Sequence, residues 1–426
     1  MSEKEITMRI AFYTDNFDPE LGGIQDSILA ITRELGLRGH KILIVAPSAS
    51  PRDYARVNRP PVEIDLGPNI QICRLLSVPF PSSSQQSRWG IPTAKGRRRV
   101  EAFDPQVIHS HGFLSVGREA LRMSRRLGCP IIGTNHWAVG GFDMYIPFAR
   151  TFFGEACTRS VTRYFEKCDE VSAPSKDSVD TMREYGLSRP CTAISNPIDT
   201  LRFRPVSPER RQAIKSELTL GDKVIVAAGR LGREKRLDVL IRAVALVKKQ
   251  VPDVSLVIAG HGSAKESLET LARECNLSDA VRFVGTLNQE ALAKLFSAAE
   301  VFSIASTSET QSMVLLQAMA CGLPVVGARS GGLTEHIPPK VGFQSEPGNS
   351  EDFADNLVRI LTAPDTRERM KQEAISFARE FSVSSISDIW EELYSKWAAC
   401  EVPEGSRTEC ERKESEKDSI RSVSCV

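Results

Sequence analysis

Apolar residues along this chain come in two kinds of block. Short runs such as MRIAFYT (8–14), KILIVAP (41–47) and VIVAAG (224–229) are apolar almost throughout, as expected of strands buried on both faces of a parallel sheet. Longer segments such as IQDSILAITRELGLRGH (24–40) and RLDVLIRAVALVKKQ (236–250) place apolar residues three and four apart, the period of a helix with one buried face. The two kinds alternate. From PQVIHSHG through SVGREALRMSRRLG, PIIGTNH, a helical stretch to about Lys167, EVSAPS, KDSVDTMREYG and CTAIS, the order is strand, helix, strand, which predicts α/β units with parallel sheets. NPIDTLRFRP (196–205) interrupts the rhythm with turn formers and prolines. The same alternation restarts at KVIVAAGRLG (223–232). Two doubly wound, Rossmann-like domains are therefore predicted, residues 1–200 and 201–383. A tail at 401–426, rich in charge and poor in apolar residues, is expected to be disordered.

Composition narrows the class. A chain of 426 residues exceeds one core, and a net charge of +1 gives no global reason to expect nucleic acid as a partner. The start, MSEKEITMRIAFYTDN, lacks the basic and then apolar pattern of a signal peptide, and no run reaches about 18 apolar residues. A cytoplasmic protein is expected. Ten cysteines are scattered without C-x-x-C spacing, which suits reduced thiols rather than a disulfide framework or a zinc site.

The most informative stretch is VFSIASTSETQSMVLLQAMACGLPVVG (301–327). It reads as strand, loop, helix, turn and strand. Ser306 with Glu309 three residues on predicts a capping box opening a helix at Glu309, and Cys321-Gly322 before Pro324 predicts its end. A helix start has free N–H groups and a partial positive charge, which suits a phosphate. Thr310, Gln311, Ser312 and Met313 are thereby candidate donor-binding residues, and Glu309 and Gln317 are placed to bond hydroxyls. Together they suggest a sugar diphosphate.

SETQSMVLLQAMACGLPVVGARSGGLTEHI resembles the E-x7-E region of retaining GT-B glycosyltransferases, specifically glycosyltransferase family 4, with Gln317 where the family usually has its second Glu. The resemblance implies a GT-B fold, with both domains facing across a cleft and a C-terminal helix, 384–400, crossing back onto the first. It implies transfer of a hexose from a UDP- or GDP-linked sugar to an acceptor hydroxyl with retention of configuration. Charge developing on the leaving diphosphate needs preorganised cations, and AAGRLGREKRLDVLI supplies Arg230 and Lys235 where family members place theirs. His136, at a strand end in TNHW, matches the histidine beside the donor sugar. His111 has a weaker claim, His109 reads as core, and Lys176 begins a helix at the cleft. Gly22 and Gly23 match the family's GG loop, Gly262 its glycine-rich turn near the nucleotide, and Gly285 to Leu287 the backbone that meets the base. AGHG lacks the third glycine of a dinucleotide fingerprint. No DxD or His/Asp/Glu cluster suggests a metal, so no cofactor is expected and the cations take that role.

The acceptor is sought in the first domain. Residues 51–126 carry 13 Lys and Arg against 6 Asp and Glu, an excess that suits an anionic membrane surface. RWGIPTAKGRRRV joins Trp89 to Lys95, Arg97, Arg98 and Arg99, and Arg118, Arg122 and Arg125 share one helix face. GGFDMYIPFARTFFG adds Phe142 and Tyr145 after the His136 strand. The motif's ETQ looks like that of bacterial diacylglycerol glycosyltransferases, so the expected partner is a membrane lipid, with the protein peripheral at the inner membrane face. A polysaccharide or small-molecule acceptor, a nucleotide-sugar epimerase of the same fold, and a non-catalytic nucleotide-sugar binder are the competing readings.

Overall fold

The computed structural model describes residues 7–20, 22–79, 88–137 and 152–399. The first sheet contains β1 (Arg9–Tyr13), β2 (Lys41–Pro47), β3 (Ile70–Pro79), β4 (Arg88–Ile91), β5 (Val107–Ser110), β6 (Ile131–Thr134), β7 (Glu170–Ala173) and β8 (Cys191–Ala193), in the spatial order β4-β3-β2-β1-β5-β6-β7-β8. The second contains β9 (Lys223–Ala228), β10 (Val254–Ala259), β11 (Val281–Gly285), β12 (Val301–Ile304), β13 (Val325–Ala328) and β14 (Gly342–Ser345), in the order β11-β10-β9-β12-β13-β14. Strand order reverses on either side of β1 and again on either side of β9. Such switch points open a crevice at the carboxyl ends of the strands, where open α/β sheets bind ligands. The loops leaving β1 and β9 carry Gly22-Gly23 and Arg230 to Lys235, respectively.

One edge departs from the parallel pattern. β3 pairs with β2 from Ile70 to Leu75, then continues past it and pairs antiparallel with β4, Leu76 opposite Ile91 and Val78 opposite Trp89. This hairpin and the helix Ala94–Phe103 that follows it lie in a region whose apolar periodicity is weak.

Alternate residues of the central strands serve opposite cores. Ile10, Phe12, Ile42 and Ile44 pack with Ile28, Ile31 and Leu35 of the helix Gly23–Leu37. Ala11, Tyr13, Leu43 and Val45 pack with Val116, Ala120 and Met123 of the helix Ser115–Leu127. The helix Val383–Ala398, which follows the second domain in sequence, closes the first of these cores with Ile386, Trp390 and Tyr394, all at most 2% exposed. Its polar flank is tied down as well. Arg38 binds Asp388 and Glu391 at 2.6 and 2.8 Å, and Glu170 accepts from Lys396 Nζ and Trp397 Nε1 at 2.7 Å each. The two passages between the sheets run side by side, with Ile198 N donating to Phe381 O and Val383 N donating to Ile198 O.

Candidate active site

At the second switch point the loops leaving β9 and β10 are zipped together by backbone. Gly229 N donates to Ala259 O, Leu231 N to His261 O and Ala264 N to Leu231 O. A Cβ on Gly262 would stand 2.4 Å from Leu231 O, so only glycine permits this approach. Gly285, at the end of β11, accepts at its carbonyl from Gly260 N at 2.8 Å. The zipper fixes the start of the turn Arg233–Lys235. From it Lys235 Nζ reaches Glu309 Oε1 at 2.5 Å, and Arg230 lies 2.7 Å from Glu234 Oε1. The Lys235 and Glu309 side chains are 24% and 11% exposed, so the pair keeps one open side.

The helix after β12 begins later than its sequence suggests. It spans Met313–Ala320, with Ser312 as N-cap accepting from Leu315 N, and residues 305–312 form an extended loop. Ser306 and Glu309 therefore do not form a capping box. The Glu309 carboxylate is engaged by Lys235, and Ser306 Oγ donates to Glu234 O at 3.4 Å. The loop is braced from the SGG turn, where Gly332 N donates to Glu309 O and Ser330 Oγ to Thr307 O. Gln317, one turn inside the helix, is 5% exposed.

The first domain brings its own helix start to the same place. A Cβ on Gly23 would lie 3.2 Å from Met313 Sδ, so the Gly22-Gly23 start of one helix faces the Ser312-Met313 start of the other. Thr310 Oγ1 donates to His136 O at 3.5 Å, which puts the strand-end histidine beside the loop. Two partly positive helix ends, an ion pair and an imidazole thus meet between the sheets. Burial pushes the His136 pKa down to about 4, and it holds those of His109 and His111 well below their usual value, so all three rings are neutral near pH 7.

Gln311 has a different place from the one its sequence position suggests. Its Oε1 accepts from Asn196 N and Nδ2 at 2.8 Å each, and its Nε2 donates to Ser195 Oγ. With 8% of its surface exposed, it clamps the interdomain connection rather than lining the cleft. Lys176 and Asp177 donate their backbone N–H groups to Glu335 of the second domain, so the Lys176 helix also meets the other sheet's layer.

On the proposed acceptor side, Trp89 sits in β4, and Arg98 and Arg99 are exposed on the helix Ala94–Phe103. Arg97 instead donates from Nε to Glu119 Oε1 at 2.6 Å, a carboxylate only 4% exposed, so its charge is used within the fold. Phe142 and Tyr145 lie outside the described residues. Of two further residues, His111 has only a weaker claim from the sequence and Asp15 is not marked by it. His111 Nδ1 stands 2.9 Å from His136 Nε2, a contact that period-two spacing from His109 on one strand face could have flagged. Asp15 accepts from Leu114 N and Val116 N at 3.0 Å and caps the helix at Ser115, with nothing in its local sequence to mark it.

Two family models divide the chain between them. Residues 21–202 match Glycosyltransferase Family 4, and residues 209–377 match Glycosyl transferases group 1. The chain belongs to the GT-B glycosyltransferases of family 4. It is 27% identical over 373 residues to an alpha-monoglucosyldiacylglycerol synthase of Streptococcus pneumoniae, spanning 86% of this chain and 82% of that one. Against a D-inositol 3-phosphate glycosyltransferase of Kribbella flavida it is 29% identical over 391 residues, 85% and 88% of the two chains. Among solved structures, the fold matches sucrose-phosphate synthase from Thermosynechococcus elongatus with a TM-score of 0.72 at 22% identity, covering 91% of this chain and 98% of that one. It matches Anabaena HepE in complex with UDP with a TM-score of 0.70 at 20% identity, covering 91% and 100%. This glycosyltransferase is thus an enzyme that uses a nucleotide sugar, and Gln317 stands eight residues after Glu309 where the motif's second acid is usual.

Proposed function

We propose that this glycosyltransferase moves a hexose from a UDP- or GDP-linked sugar to a hydroxyl of a membrane lipid, such as diacylglycerol or a glycolipid precursor, with retention and without a metal ion. The observation that carries the donor half is the meeting of the two helix starts, Gly22-Gly23 and Ser312-Met313, beside Lys235 and Arg230. That place suits a diphosphate, whose charge the N–H groups and cations hold as it develops. Glu309 and His136 take the sugar hydroxyls and Gln317 the ribose. In the transfer, the bond from the anomeric carbon to the β-phosphate oxygen breaks, and the bond to the acceptor oxygen forms on the same face. The acceptor's proton passes to the departing phosphate oxygen, so no protein nucleophile is needed.

The lipid half rests on the edge hairpin and its neighbours. Leu76, Val78 and Ile91 are 64%, 49% and 41% exposed, and strand pairing puts them on one face with Trp89. Lys95, Arg98 and Arg99 are exposed on the next helix. Exposed apolar side chains with nearby cations suit the surface of an anionic bilayer. No helix among the described residues is long and apolar enough to cross a membrane, and the proposed location is peripheral, at the cytosolic face. The relative named as an alpha-monoglucosyldiacylglycerol synthase supports a lipid acceptor, and the exposed hairpin is what sets that reading before the inositol phosphate named for another relative. Incubating the enzyme with UDP-glucose, UDP-galactose or GDP-mannose and diacylglycerol vesicles, then analysing the lipids by mass spectrometry, tests the proposal. A hexosylated lipid is expected. Hexose found only on a soluble polyol phosphate would move the acceptor to the second class.

A further inference from the structure

Beneath His136 the first domain holds a column of three imidazoles whose lower two members have no part in the transfer written above. His111 Nδ1 is 2.9 Å from His136 Nε2, and the two rings lie 5.2 Å apart at 17°. His111 packs in turn on His109, centroids 3.9 Å apart, and lies parallel to the Phe12 ring at 5.6 Å. His109 is pinned at both nitrogens, Nδ1 at 2.6 Å from Tyr394 OH and Nε2 at 2.6 Å from Thr134 Oγ1, which meets Ser172 Oγ at 2.7 Å. Tyr394 belongs to the crossing helix Val383–Ala398, so the far end of the described chain supports the floor of the cleft.

The column is satisfied at its base and open at its top. Both nitrogens of His109 have partners, whereas the buried Nε2 of His111 and the buried Nδ1 of His136 have none among the described residues. A buried polar atom without a partner costs about 1–3 kcal/mol, and of the two open nitrogens that of His136 belongs to the ring beside the Thr310 loop. A ligand atom there would supply the missing bond. A neutral imidazole has one N–H and one bare nitrogen, so whatever occupies Nε2 decides what Nδ1 can offer.

We propose, resting on the reading that His136 meets the donor, that His111 is a positioning residue. It takes His136 Nε2 in a hydrogen bond, holds the ring flat against the column, and leaves Nδ1 in one protonation form to meet a hydroxyl or phosphate oxygen of the sugar nucleotide. His111 itself touches no substrate.

The test compares wild type with His111→Phe, which keeps a flat ring and loses the bond, and His111→Asn, whose amide reaches close to the place of imidazole Nδ1. Melting temperatures establish that each full-length variant folds. His111→Phe is expected to lower kcat on the order of 10- to 100-fold while the Kd for UDP or GDP, which lack the sugar, stays within about two-fold, and His111→Asn recovers most of the rate. Ring ¹⁵N spectra provide a readout independent of activity. His136 is expected in one neutral tautomer in wild type and in a mixture in His111→Phe. A folded His111→Phe with wild-type kcat, His111→Asn as slow as His111→Phe, or identical His136 spectra in both would overturn the positioning role. If wild type binds no nucleotide sugar, the donor reading fails instead, and the ring spectra still decide the role of His111.

Discussion

Lys235 Nζ lies 2.5 Å from Glu309 Oε1, and this one contact joins the loop after β9 to the loop after β12 on either side of the second switch point. The lysine holds the Glu309 loop and, in the proposed reading, faces the donor's diphosphate. Lys235→Ala is therefore expected to lower kcat by roughly 10²- to 10³-fold, because a cation stabilising developing charge is lost. Glu309→Gln keeps shape and removes the ion pair, so a smaller loss is expected, read in KM for the sugar nucleotide more than for free UDP. Steady-state kinetics of both variants check this.

The buried imidazoles make stability depend on pH. Unfolded, the His136 ring takes a proton near the ordinary value of 6.5; folded, it does so only near 4. Between these values the unfolded chain binds more protons, so stability falls as pH drops through that window. Asp15 works the other way, since burial raises its folded pKa from 3.8 to about 6 and its contribution is lost as pH rises through that range. A His136→Asn variant isolates the first effect. Urea unfolding between pH 4 and 7 is expected to show a shallower decline toward acid than wild type; parallel curves would count against a neutral buried His136.

Trp390 is 2% exposed in the core shared by the crossing helix and the first sheet. Trp390→Ala should cost about 3–5 kcal/mol, measured by chemical denaturation. Because the same helix carries Tyr394 under His109, activity should fall before the fold is lost.

The alternation of apolar runs and amphipathic segments was enough to read both sheets and their restart after Pro205, since buried parallel strands have few other ways to look. The place of candidate residues was legible where a motif sits at a strand end, as with Arg230, Lys235 and His136. It was less legible where tertiary contacts overrode local signals. Lys235 takes the Glu309 carboxylate that a capping box needs, so the helix begins at Ser312-Met313. Asn196 and Ser195 take Gln311 across the domain connection. Arg97 is consumed by Glu119. The β3–β4 hairpin was missed because its exposed face is apolar, which inverts the usual alternation of an edge strand.

That inverted face gives a further prediction. Leu76→Ser with Val78→Ser, or Arg98→Glu with Arg99→Glu, should reduce sedimentation with phosphatidylglycerol vesicles at low salt. Each charge removed is worth about 1 kcal/mol near the surface. The apolar double variant should lose binding at all salt concentrations and the charge variant chiefly at low salt. Unchanged sedimentation in both would remove the hairpin from the membrane argument.

The central claim is that a sugar nucleotide's diphosphate is held between the two helix starts by Lys235 and Arg230 while the sugar passes to a lipid. Release of UDP or GDP from a sugar nucleotide, followed with and without lipid vesicles in wild type and Lys235→Ala, tests it most directly. The account predicts release that depends on lipid and is nearly abolished in the variant. Release independent of lipid, or equal in the variant and wild type, would contradict it.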